Sequence, residues 1–169
     1  CKKNNIEDKV KNGPAVGVIM EDLGKLTMEN YVFWKPETEE LRQILFQCYV
    51  GIYALIRYLR MNHGDFHFKN VMLVELEKPK TFRYLIDGQL YTVTAKQFYP
   101  VIIDINGNLY GQKVNQMRDI KHINRFMKRF IPSHFNALNL DMSTTSIKLF
   151  FKRNFHQFKN SSQPTSQNT

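Results

Sequence analysis

The chain has 169 residues, 43% of them hydrophobic, and a formal net charge of +9, which allows one domain with a real core and leaves little room for two. The positive balance favours acidic partners such as nucleotides, nucleic acid or anionic surfaces, without choosing among them. Two cysteines far apart, Cys1 and Cys48, exclude a disulfide framework and a four-cysteine zinc site and fit a reducing, cytoplasmic setting. No apolar run reaches transmembrane length and no signal segment leads the chain, so the expectation is a soluble protein with no membrane span.

Residues 1–14 are polar and charged and close on a turn signal at Asn12-Gly13-Pro14. The apolar run Ala15 to Met20 suits a buried strand, and Glu21-Asp22-Leu23-Gly24 ends it. Lys35-Pro36-Glu37-Thr38-Glu39-Glu40 reads as a helix start, with proline in the first turn and acids at the positive end of the dipole. The stripe Leu41, Ile44, Leu45, Cys48, Tyr49, Ile52, Ile56 and Leu59 then predicts one long helix to about Arg60.

Strands are expected at Val71–Val74 and Val101–Ile103, with a hairpin between them whose turn is Asp87-Gly88. Asn106-Gly107-Asn108 and Gly111 predict a loop. A helix resumes near Asn115 with Ile120, Ile123, Phe126, Met127 and Phe130 on one face, and Ile131-Pro132 stops it. Ser143-Thr144-Thr145 is expected to cap a last helix carrying Ile147, Phe150, Phe151, Phe155 and Phe158. The Ser/Gln/Asn/Thr composition of 160–169 predicts disorder.

The polar residues with chemical potential gather in His63-Gly64-Asp65-Phe66-His67-Phe68-Lys69-Asn70 and at Asp104, which closes the Val101-Ile102-Ile103 strand. An acceptor hydroxyl needs a carboxylate to take its proton as a phosphoryl group arrives, and Mg²⁺ needs oxygen ligands. Asp65, Asn70 and Asp104 offer that set. The plain alternative is a polar turn whose Asp and Asn satisfy local backbone groups.

His63-x-Asp65-x-x-x-x-Asn70 resembles the catalytic loop of protein-kinase-like phosphotransferases, His-Arg-Asp with Asn five residues after the Asp, and Asp104 is similar to the Asp of their Asp-Phe-Gly. Here that triplet is Asp104-Ile105-Asn106, with Gly107 one place late. Gly64 and His67, in place of the usual Arg and Lys, make the loop similar to aminoglycoside phosphotransferases and choline kinases; it also resembles divergent protein kinases of large DNA viruses. The resemblance covers about residues 15–130. It implies an α+β, mainly helical fold: a kinase-like C-terminal lobe with small β hairpins over 15–159, 1–14 being a lead-in from an N-terminal lobe mostly absent.

The same resemblance implies roles. Asp65 takes the acceptor proton, His63 orients the loop, His67 stands where a lysine neutralises the transferring group, Asn70 and Asp104 hold Mg²⁺, and the backbone of Glu21, Asp22 and Leu23 contacts the adenine of ATP. Asp119 matches the family's structural aspartate in the following helix. The implied partners are a nucleotide, a protein Ser/Thr or small hydroxyl acceptor, and the missing N-lobe segment, in the host cytoplasm or virion if the viral likeness holds.

Departures are plain. No Gly-x-Gly-x-x-Gly precedes residue 15, no strand carries a lysine of the Val-Ala-Ile-Lys type, no Ala-Pro-Glu appears, and residues 105–118 are short for a peptide-binding activation segment. With Cys1 rather than Met at its start, the chain is expected to be a fragment, inactive alone. The alternatives are a pseudokinase or interaction module, a small-molecule kinase, a zinc site at His63-x-Asp65-x-His67, and nucleic-acid binding through Lys121, Arg125, Lys128, Arg129, Lys148, Lys152 and Arg153 among phenylalanines.

Overall fold

A computed structural model describes residues 21–34, 36–105 and 114–160. The expected strand at 15–20, the loop at 106–111, the lead-in 1–14 and all of the tail beyond Asn160 lie outside the described residues. Within them the fold is α+β, with five helices and two two-stranded antiparallel sheets.

The long helix forms as its stripe requires: α2 spans Thr38–Tyr58 with Glu39 and Glu40 in the first turn. Seven of its eight stripe residues are buried, but Leu59 is 63% exposed. It falls at the C-cap, where the chain leaves helical geometry and Arg60 turns left-handed at φ 55°, so the periodicity overreached by one position. Ahead of it, α1 (Met28–Phe33) was not foreseen; Thr27 caps it by accepting from the Asn30 N–H at 3.3 Å.

The strands are nested. β1 (Val71–Glu75) pairs with β4 (Phe98–Ile102), and between them β2 (Lys80–Ile86) and β3 (Gln89–Ala95) form a separate hairpin. Asp87 and Gly88 both have positive φ, 47° and 79°, the pair that a two-residue turn matching the strand twist demands. β4 starts earlier than the Val101 of the sequence reading because Phe98 pairs with Glu75.

Helix α3 is Arg118–Phe130, followed by α4 (Pro132–Leu138) and α5 (Ile147–Asn154). Pro132 ends α3 and also opens α4, at the position where its missing N–H costs nothing; that second helix was missed. Ile120, Ile123 and Met127 are buried, whereas Phe130 is 51% exposed. Ser146, not 143–145, precedes α5, and its side chain makes no capping bond. Asn160, assigned to the tail, donates its N–H to Leu90 O at 3.0 Å.

The core is aromatic. Phe46, fully buried on α2, lies within 5.1–5.7 Å of the rings of Tyr84, Tyr91, Phe151, Phe155 and Phe158, which ties the hairpin and the last helical segment to α2. Cys48 is buried and unpaired on the same helix, and desolvation raises its thiol far above the ordinary range, so it packs rather than reacts. At Gly51 a Cβ would come within 2.6 Å of Ile102 Cδ1. The missing side chain lets the end of β4 lie close on α2, and that strand end leads to Asp104.

Candidate active site

The turn after α2 is held by an aspartate more than fifty residues on. Asp119, 2% exposed in the first turn of α3, accepts from the His63 N–H at 2.9 Å, the Asn62 side-chain amide at 3.1 Å and the Gly64 N–H at 3.3 Å. Asn62 also bonds the backbone of Asn115 twice, donating to its carbonyl at 2.8 Å and accepting from its N–H at 3.0 Å. Gly64 sits at φ 89°, which side chains rarely adopt. Burying a carboxylate without donors is costly; here three donors meet it, and the backbone around residue 63 is fixed in return.

His63 is fully buried, its ring against Phe66. Nε2 lies 3.0 Å from Ile103 O, and since a carbonyl only accepts, Nε2 carries the proton. Nδ1 is buried without a partner. The ladder of β1 and β4 continues one residue beyond the strands, through Ile103 N–H to Asn70 O at 3.0 Å. Asn70 and Ile103 are therefore neighbours, and Asp104 follows immediately, exposed and left-handed at φ 54°.

Asn70 ends a 3₁₀ turn over Phe68–Asn70. Its amide donates to Asp65 O at 3.1 Å, which closes the loop on itself and leaves Oδ1 without a hydrogen-bond partner among the described residues. Asp65 is exposed, and its Oδ2 lies 3.4 Å from His67 Nε2. His67 Nδ1 is buried and unpartnered.

The connector joins this face through its continuation. Asp22 accepts from the Gly24 N–H at 2.8 Å, Leu73 N–H donates to Leu26 O at 2.8 Å, and Thr27 bridges Met72. Residues 26–27 thus run beside β1, the strand that starts after Asn70. Glu21 and Asp22 are exposed and Leu23 is half-buried.

Five of the eight predicted site residues, His63, Asp65, His67, Asn70 and Asp104, thus fall at one chain crossing, while Glu21, Asp22 and Leu23 precede the residues 26–27 that run beside β1. Asn62 and Asn115 were missed; only their clamp in three dimensions distinguishes them from ordinary loop asparagines. Among the described residues no group of three or more His, Cys, Asp or Glu side chains is placed to hold a metal. The oxygens of Asn70 and Asp104 suit a hard cation that takes its other ligands from water and phosphate. His63 Nε2 is committed to a carbonyl, which removes one nitrogen from a zinc site built on the loop. No protein-family model, curated protein or solved structure matches this chain.

Proposed function

We propose that the chain is the C-terminal lobe and hinge of an ATP- and Mg²⁺-dependent phosphotransferase of protein-kinase-like ancestry, acting on a hydroxyl, most simply a protein Ser or Thr. The observation that carries the reading is the pairing of an exposed Asp65 with a fixed backbone: Asp119 grips the amides before it, and the His63–Ile103 bond joins the loop to the chain that leads from β4 to Asp104. A turn that merely satisfied itself would not need a buried aspartate from another helix.

On this reading Asp65 accepts the proton of the attacking hydroxyl, with His67 Nε2 3.4 Å from its carboxylate. Asn70 and Asp104 present oxygens to Mg²⁺, which when bound neutralises charge on the phosphates. The backbone of Glu21 to Leu23 lines the nucleotide edge, and residues 1–20 hold no glycine loop or strand lysine of the family's type. That absence favours the second reading, a nucleotide-free interaction module with the same fold.

Phosphoryl transfer from radiolabelled ATP by the full reading frame, assayed on protein and small alcohol acceptors, separates the two. Asp65→Asn is expected to lower turnover about 10²- to 10⁴-fold, the range of a positioned acid–base group, with an unchanged unfolding midpoint. Undiminished turnover removes Asp65 from its role, and no transfer or Mg·ATP binding by the parent protein leaves the module.

A further inference from the structure

Two cavities beside the C-terminal end of α2 adjoin one another, one of about 410 Å³ and one of about 220 Å³, and share Asp87 and Lys148 in their walls. Three chain segments bring basic groups to them: Arg57 and Arg60 from the end of α2, Lys148 and Lys152 from α5, and His156 and Lys159 from the 3₁₀ turn His156–Phe158 and the residue after it. None of the five lysines and arginines forms an ion pair with a described carboxylate. The one acid in the lining, Asp87, is held by Tyr53, whose hydroxyl donates to it at 3.1 Å.

Like charges on a concave wall raise a positive potential that the folded chain must hold against their repulsion. The walls are nevertheless fixed. Lys159 bridges Tyr91, Asn160 bonds Leu90, and the Ile147 N–H at the start of α5 donates to Gln116 at 3.3 Å. Arg60 occupies the left-handed position after a helix, where glycine is the usual occupant. A charged side chain is kept there against backbone preference.

We propose that this cleft binds a compact polyphosphate anion, a small molecule with three or more phosphoryl groups on a chain or ring. One phosphate would meet too few of the cations to neutralise the cleft, whereas lysines act as point charges toward several. A nucleic-acid strand would want ring faces for its bases, and the two tyrosines in the lining, Tyr53 and Tyr91, are 5% and 4% exposed. The site is independent of the phosphotransferase reading.

Calorimetric titration of the 169-residue chain with inorganic tripolyphosphate, with chelator present so that no Mg²⁺ site contributes, should give saturable one-to-one binding that orthophosphate does not match. Lys148→Glu with Lys152→Glu, both exposed, should weaken it about tenfold or more. Lys121→Glu with Lys128→Glu, the same charge change on the outer face of α3, should preserve it within the general salt effect. Absence of binding at low salt, equal loss in both double variants, or tighter binding of a single-stranded oligonucleotide with the same number of phosphates would each overturn the proposal.

Discussion

The aromatic core and the His63 turn are organised by opposite means. Around Phe46 five rings converge, three on the hairpin and α5, and two, Phe155 and Phe158, beyond the end of α5 at Asn154, where the expected helix has already stopped. Around Asp119 one carboxylate collects two backbone amides and a side-chain amide from a segment with no regular structure. The core is redundant, because many contacts share the load; the turn is not, because each donor answers to one acceptor. Stability should therefore follow the first region, and the shape of the candidate site the second.

Truncation at the centre of the core gives the largest expected effect. Phe46→Ala empties a fully buried site and should destabilise the chain by about 3–5 kcal/mol, read from denaturant unfolding, with the β2–β3 hairpin and α5 loosening together in hydrogen exchange. A cost under about 1 kcal/mol would show that the rings do not act as one cluster. Asp119→Ala should cost less, about 1–3 kcal/mol for donors left buried and unpaired, but its effect should be concentrated. The amides of His63 and Gly64 should lose exchange protection while those of mid-α2 keep theirs. Uniform loss across the chain would mean that the turn and the core are one unit.

This contrast also decides what could be read beforehand. Helix α2, the hairpin turn at Asp87-Gly88 and the apolar face of α3 follow from periodicity and turn chemistry, which are local. The grouping of His63, Asp65, Asn70 and Asp104 depends on β1 pairing with β4, and local spacing announces the hairpin between those strands without saying that the strands on either side of it pair with each other. The extra residues of that hairpin, β2 and β3, form their own sheet and so return the chain to β1 without disturbing its register. Short helices α1 and α4 escaped because six or seven residues carry too little periodic signal. The cationic cleft escaped because Arg57, Arg60 and Lys159 are unremarkable surface residues until the fold converges them, and Lys148 and Lys152 group in the sequence reading with the basic residues of α3 instead.

The smallest effect tests whether burial is what separates Asp119 from a carboxylate with a similar set of donors. Asp141 also meets three: the Ser143 hydroxyl and backbone N–H, and the Arg153 guanidinium at 2.9 Å, all at the surface. The hydrogen bonds from Ser143 first, then Arg153, lower its pKa from 3.8 to about 2. Because the folded value lies below the ordinary one, the stabilisation is complete above about pH 4 and fades as pH falls toward 2. Water screens this exposed group, so the midpoint of thermal unfolding should barely move in that window. The titration itself, followed by carboxyl NMR, should sit near 2 and rise toward 3.8 in Ser143→Ala more than in Arg153→Ala. A parent titration near 3.8 would mean that the surface bonds are not held in solution, and the three donors at Asp119 would then owe their hold on it to the absence of water.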